Sequence, residues 1–145
     1  MTITSSTPTS APATSATAAA NAEIMRSGYA AFANGDLATL EALFSPDAIW
    51  HEPGNNPISG TYEGWPAVAG LLVSYLERSH GTFAAELVDV LANDTMAISV
   101  AQVRGSFAGR TLDQVDHLHL LIAGGKVREA WVLYHDQAAV DSFFA

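Results

Sequence analysis

The dominant hydrophobic period of the chain changes near Gly81. Before it, apolar residues recur every three or four positions, as on one face of a helix. After it they alternate, as on one face of a strand. A chain written this way puts helices first and strands later, the order of an α+β domain rather than of repeated βαβ units.

Three helices are predicted in the first part. Met25, Tyr29 and Phe32 share a face, and Asn34-Gly35 stops that helix. Asp36 is placed to cap a second helix carrying Leu37, Leu40, Leu43 and Phe44, with Pro46 after its end. Pro66 suits the first turn of a third, in which Val68, Leu71, Leu72, Tyr75 and Leu76 fit the helical template up to Gly81. A short strand starting near Asp47 separates the second helix from the third. Strands are predicted at residues 82–92, 95–107, 110–122 and 126–134, joined by turns at Asn93-Asp94, Ala108-Gly109 and Gly124-Gly125. They form an antiparallel meander, and Asp136-Gln137 caps a final helix. A strongly curved sheet folded around the helices leaves a cavity.

Composition narrows the chemistry. With 145 residues, 49% of them apolar, a single domain with one real core is expected. A net charge of −9, with six scattered Lys and Arg, argues against nucleic acid and anionic membranes. No apolar run approaches a membrane span. There is no cysteine, which excludes thiolate nucleophiles, disulfides and Cys-ligated zinc. Residues 1–20 are Thr, Ser, Ala and Pro apart from Met1 and Ile3, and read as a disordered tail without the features of a secretory signal. Residues 21–145 are then the domain, expected to be cytoplasmic.

The stretch "DAIWHEPGNN", residues 47–56, sets His51 and Glu52 where a strand meets its turn. If the strand end is the rim of a cavity, Glu52 faces in beside Trp50 and His51 faces the other way; if the strand ends earlier, Glu52 is solvated. Asp116 stands within an apolar strand, where a carboxylate needs a function or a partner such as Arg104 or Arg128. His117 and His119 share one strand face. They could bind a metal with His51 or Asp113 as third ligand, but two histidines do not make a site. With Leu118, Leu120 and Ile122 toward the cavity, the histidines face solvent or a partner; the reverse register puts His119 inside as a polar anchor. Tyr29, Trp50, Trp65, Trp131 and Tyr134 suit either a core or the wall of a pocket for a flat hydrophobic ligand. No metal or cofactor is expected.

The run "NGDLATLEALFSPDAIWHEPGNNPISGTYEGWPAV", residues 34–68, together with "GKVREAW" and "DQAAVDSFF", resembles the SnoaL-like branch of the nuclear transport factor 2-like superfamily. The resemblance implies a cone-shaped roll: three N-terminal helices against a curved mixed sheet. Within that superfamily, Gly35-Asp36-Leu37, Glu52-Pro53, Pro57-Ile58-Ser59-Gly60 and Asp116-His117 resemble the pattern of steroid Δ-isomerases. That likeness implies Glu52 as the general base near the mouth and Asp116 as a protonated oxyanion-hole acid. The family's oxyanion tyrosine falls on Gly28, one place from Tyr29. The residues expected around a substrate are Tyr29, Trp50, Trp65, His119, Trp131 and Tyr134. Two functions are open: an isomerase or cyclase acting on a hydrophobic carbonyl compound, and a non-catalytic domain binding a hydrophobic ligand or partner. A homodimer through the outer sheet face, using Val103 and Phe107 or their alternates, is expected.

Overall fold

The computed structural model describes residues 14–145. Of the tail expected over residues 1–20, residues 1–13 lie outside the described residues, and the rest departs from the expectation. Ser15 accepts a hydrogen bond from the Ala18 amide at 2.9 Å and caps a helix that begins at Ala16. The alanines that read as low complexity are the best helix formers. The buried Asn21 side chain ties this segment to the Asn93 carbonyl.

The elements follow as α1 (Ala16–Ala33), α2 (Leu37–Leu43), β1 (Phe44–Glu52), β2 (Gly60–Glu63), α3 (Trp65–Arg78), β3 (Ala84–Ala92), β4 (Met96–Phe107), β5 (Arg110–Ala123), β6 (Lys126–Tyr134) and α4 (Gln137–Phe144). Asp36 caps α2 and Asp136 caps α4 through their carboxylates. Phe44, read as helical, is instead the first residue of β1. Pro46 lies inside that strand, in the stretch where pairing with β6 is interrupted between Phe44 and Ile49. Proline has no amide proton to give a ladder, so it is tolerated there. The short strand β2 was not anticipated.

The six strands form one mixed sheet in the order β2-β1-β6-β5-β4-β3. Only β1 and β6 run parallel. The β4–β5 and β5–β6 turns each place two residues at positive φ, Ala108-Gly109 and Gly124-Gly125. That backbone matches the twist of the flanking strands. Irregularities in the pairing of β1, β3 and β6 bend the sheet. Helices α1, α2 and α3 pack on its concave face, and α4 packs against β5. Met25, Val68, Leu71, Val103 and Val127 are fully buried between the layers. Val103 therefore points inward, and the outer face of β4 carries its alternates Met96, Ile98 and Val100. Phe107, also considered for an outer contact, packs on His80 with ring centroids 4.3 Å apart.

Phe143 of α4 sits directly on Gly105 of β4. A Cβ at Gly105 would lie 2.6 Å from the Phe143 ring. Gly105→Val is expected to lose roughly 1–3 kcal/mol by displacing α4. The readout is a lower urea midpoint with fast amide exchange confined to α4. An unchanged midpoint would contradict this packing.

Candidate functional site

The concave face and the helices enclose a cavity of about 90 Å³. A single water needs roughly 10–15 Å³, so the space is large enough for a ligand fragment. Aromatic rings make much of its wall: Tyr29 and Phe32 from α1, Phe44 and Trp50 from β1, Tyr75 from α3 and Tyr134 from β6. Asp116 from β5 is the one acidic group in the lining among the described residues.

Alternation along β5 decides which side chains enter. Leu112, Gln114, Asp116, Leu120 and Ile122 are buried on the inner face, while His117 and His119 lie on the outer one. Asp116 is 7% exposed, and its Oδ1 has no hydrogen-bond partner. Neither arginine considered for it is its partner. Arg104 pairs with Glu86 and Asp113, and Arg128 faces Asp47 and Ser45. Burial, and then the charge of Glu52, push the Asp116 carboxyl up to about 7.

Glu52 is buried at the end of β1, not solvated on a loop. Its carboxylate accepts three hydrogen bonds. Trp50 Nε1 donates to Oε2 at 3.1 Å, the Tyr75 hydroxyl donates to the same oxygen, and the Tyr134 hydroxyl donates to Oε1 at 2.6 Å. Burial raises its pKa, and these donors offset part of the rise. Glu52 does not itself reach the cavity lining; the three side chains bonded to it do.

A second polar chain starts at the wall on α1. The Tyr29 hydroxyl is 2.8 Å from Ser99 Oγ, which accepts from the Leu118 amide at 3.0 Å. Either hydroxyl can donate in this pair, and donation by Ser99, which already accepts from Leu118, uses both functions of its buried hydroxyl. With Ser99 donating, the phenolic proton of Tyr29 is free to point into the cavity. Burial and the nearby Asp116 charge raise the Tyr29 pKa, which keeps it protonated.

Of the residues expected around a substrate, Tyr29, Trp50 and Tyr134 line the cavity and three do not. Trp65 packs on Phe44 at the start of α3, with ring centroids 5.3 Å apart. His119 and Trp131 pack on each other on the outer sheet face. His51 also stacks on Trp131 and pairs with Glu129 at 3.1 Å. Strand alternation puts them there, since each is adjacent to an inward residue. His117 Nδ1 bonds the Ser99 carbonyl. Among the described residues no group of three or more His, Asp or Glu side chains is placed to hold a metal ion, and no helix is long and apolar enough to cross a membrane. Ser99 and Tyr75 were missed as site residues. Ser99 was visible as the one hydroxyl among Ala97, Ala101 and Val103 on an inward strand face.

A family model described as a SnoaL-like domain matches residues 25–130. An uncharacterized protein of Mycobacterium tuberculosis is 37% identical over 127 residues, covering 87% of this chain and 97% of the relative. The solved structure of Bal32a, from a soil-derived mobile gene cassette, is 34% identical with a TM-score of 0.86, covering 89% of this chain and 99% of that one. A putative SnoaL-like polyketide cyclase from Jannaschia shares the fold alone, at 16% identity and a TM-score of 0.76 over 90% of this chain and 94% of its own. The fold is that of nuclear transport factor 2-like proteins.

The raised carboxyl of Asp116 makes stability depend on pH. The folded chain holds this proton more tightly than the unfolded one. The resulting stabilisation is fully present below the ordinary value of 3.8 and is lost as pH rises through about 7. The loss is on the order of 4 kcal/mol at most. Asp116→Leu is expected to flatten this part of the profile and to melt higher than the native protein above about pH 7. Lower melting at every pH would overturn that reading. Glu52→Gln sets an amide among three donors and is expected to cost roughly 1–3 kcal/mol in chemical denaturation.

Proposed function

The chain belongs to the SnoaL-like family, and from that premise we propose that it is a small acid–base enzyme of isomerase or cyclase type acting on a hydrophobic carbonyl compound. Fold alone carries no chemistry. The observation that supports this reading is the Asp116 carboxyl, which lines an aromatic cavity and has an unpartnered, buried Oδ1. A buried carboxyl titrating near neutrality suits proton transfer in both directions.

The roles follow from which protons and lone pairs are free. Asp116 as carboxylate takes a proton from the carbon next to the carbonyl. The electron pair of that C–H bond moves toward the carbonyl, and the resulting enolate oxygen accepts the free Tyr29 hydroxyl. Where the substrate carries a β,γ carbon–carbon double bond, Asp116 then returns the proton to the γ carbon, and the double bond shifts to the α,β position as the carbonyl re-forms. The hydroxyl protons of Tyr75 and Tyr134 are committed to Glu52. Glu52, expected as the base, is better suited to hold these tyrosines and to hold up the Asp116 pKa through its charge. In ketosteroid isomerase an apolar site likewise raises the pKa of a buried carboxylic acid.

Exchange of solvent deuterium into the carbon beside the carbonyl of hydrophobic ketones, followed by NMR, tests this without knowledge of the natural substrate. Asp116→Asn is expected to slow exchange ~10²–10⁴-fold. Tyr29→Phe is expected to slow it ~10²–10³-fold. Ketones that raise the melting temperature yet show no exchange would favour the second function, non-catalytic binding in the same cavity.

We also propose a homodimer through the outer sheet face. Val88, Leu91, Leu121 and Leu133 are exposed there, and His119 Nε2 is buried without a partner. Light scattering at micromolar concentration is expected to give twice the chain mass, and Leu133→Glu to shift it toward the monomer. A native monomer would refute the proposal.

A further inference from the structure

The cavity wall holds carboxylate and ring faces but no cation. None of the Lys, Arg or His side chains lines it among the described residues. Arg26 lies beside Glu23, Arg104 beside Glu86 and Asp113, Arg128 beside Asp47, and Arg110 on the carbonyls of Phe143 and Ala145. The chain as a whole carries −9. Such a field draws cations and repels anions. Inside, Tyr29, Phe32, Trp50, Tyr75, Phe83 and Tyr134 line the same cavity as Asp116, whose buried Oδ1 has no hydrogen-bond partner. Ring faces attract an organic cation, most strongly when it is desolvated.

We propose that the cavity also takes hydrophobic ammonium ions, with the amine head donating to the Asp116 carboxylate and the hydrocarbon body against the aromatic wall. An ammonium supplies the donor that this buried carboxylate lacks, and the pair offsets the desolvation of both ions. Glu52, through its charge, adds to the attraction without competing for the head, because its own oxygens are occupied by Trp50, Tyr75 and Tyr134. The titratable groups that act on Asp116 by charge are Tyr29 of α1, Glu52 of β1 and Tyr134 of β6; Tyr75 of α3 lines the same cavity, and the histidines of its own strand face outward. The proposal rests on the reading of the cavity as a ligand site, but it differs in what pH does to binding. A ketone held by the Tyr29 hydroxyl binds whether or not Asp116 is ionised, whereas an ammonium needs the carboxylate.

Three probes of similar shape separate these cases: phenylpropylamine, the neutral ketone benzylacetone and the anion hydrocinnamate, titrated by calorimetry into the full-length protein. Asp116 titrates at about 7. Phenylpropylamine is expected to bind at about pH 8 and to weaken roughly tenfold at about pH 6, with hydrocinnamate not binding at about pH 8. Asp116→Asn, checked for an intact melting transition, is expected to lose the amine and keep benzylacetone. If benzylacetone binds and the amine binds no better than hydrocinnamate, the ammonium proposal falls and the ligand-site reading stands. If the amine binds Asp116→Asn as tightly as the native protein, the pairing with Asp116 is wrong. If neither amine nor ketone binds at either pH, both readings fall.

Discussion

The Glu52 carboxylate joins α3 to the parallel pair β1–β6 by polar contact. One acid accepts hydrogen bonds from β1, α3 and β6 through Trp50, Tyr75 and Tyr134. A buried charge is costly unless its hydrogen-bonding capacity is met, and here three donors meet it. The cage fixes the rings that make one wall of the cavity. It also fixes the angle between α3 and the parallel pair β1–β6, so the shape of the cavity is built into the fold.

Glu52 and Asp116 are two buried acids with opposite surroundings. Glu52 is saturated with donors, while Asp116 Oδ1 has none. Burial raises both pKa values, and the charge of Glu52 adds to the rise at Asp116. Two like charges in one low-dielectric space push their pKa values apart, and the acid with fewer hydrogen bonds is the one that accepts a proton near neutrality.

Much of the fold was legible because turn chemistry and alternation are local. Asn93-Asp94, Ala108-Gly109 and Gly124-Gly125 separate β3 to β6 at or within two residues of the expected bounds. Alternation along β5 left two registers open, and the structure takes the one with Leu118, Leu120 and Ile122 inward, which carries Asp116 with them. The errors come from nonlocal causes. Phe44 has helical spacing with Leu40 yet pairs with Val127, a partner far along the chain. β2 is too short to show a period and exists because β1 offers it an edge. His119 and Trp131 were chosen for residue type, but the face of the strand decides where a ring points. The Glu52 cage could not be read at all, since Tyr75 and Tyr134 are distant in sequence and each looks like ordinary core.

The parallel pairing of β1 with β6 has a consequence for how the chain acquires its shape. β1 spans Phe44–Glu52 and its partner spans Lys126–Tyr134. During synthesis α1 to α3 and β1 leave the ribosome well before the strand that must lie beside β1, so closure of the sheet waits for nearly the whole chain. Loop closure over that distance comes before its reward, which places this protein among slow-folding topologies. Until then Trp50 and the carboxylate beside it stand on an open strand edge, where a chaperone or a second nascent chain has first access to them.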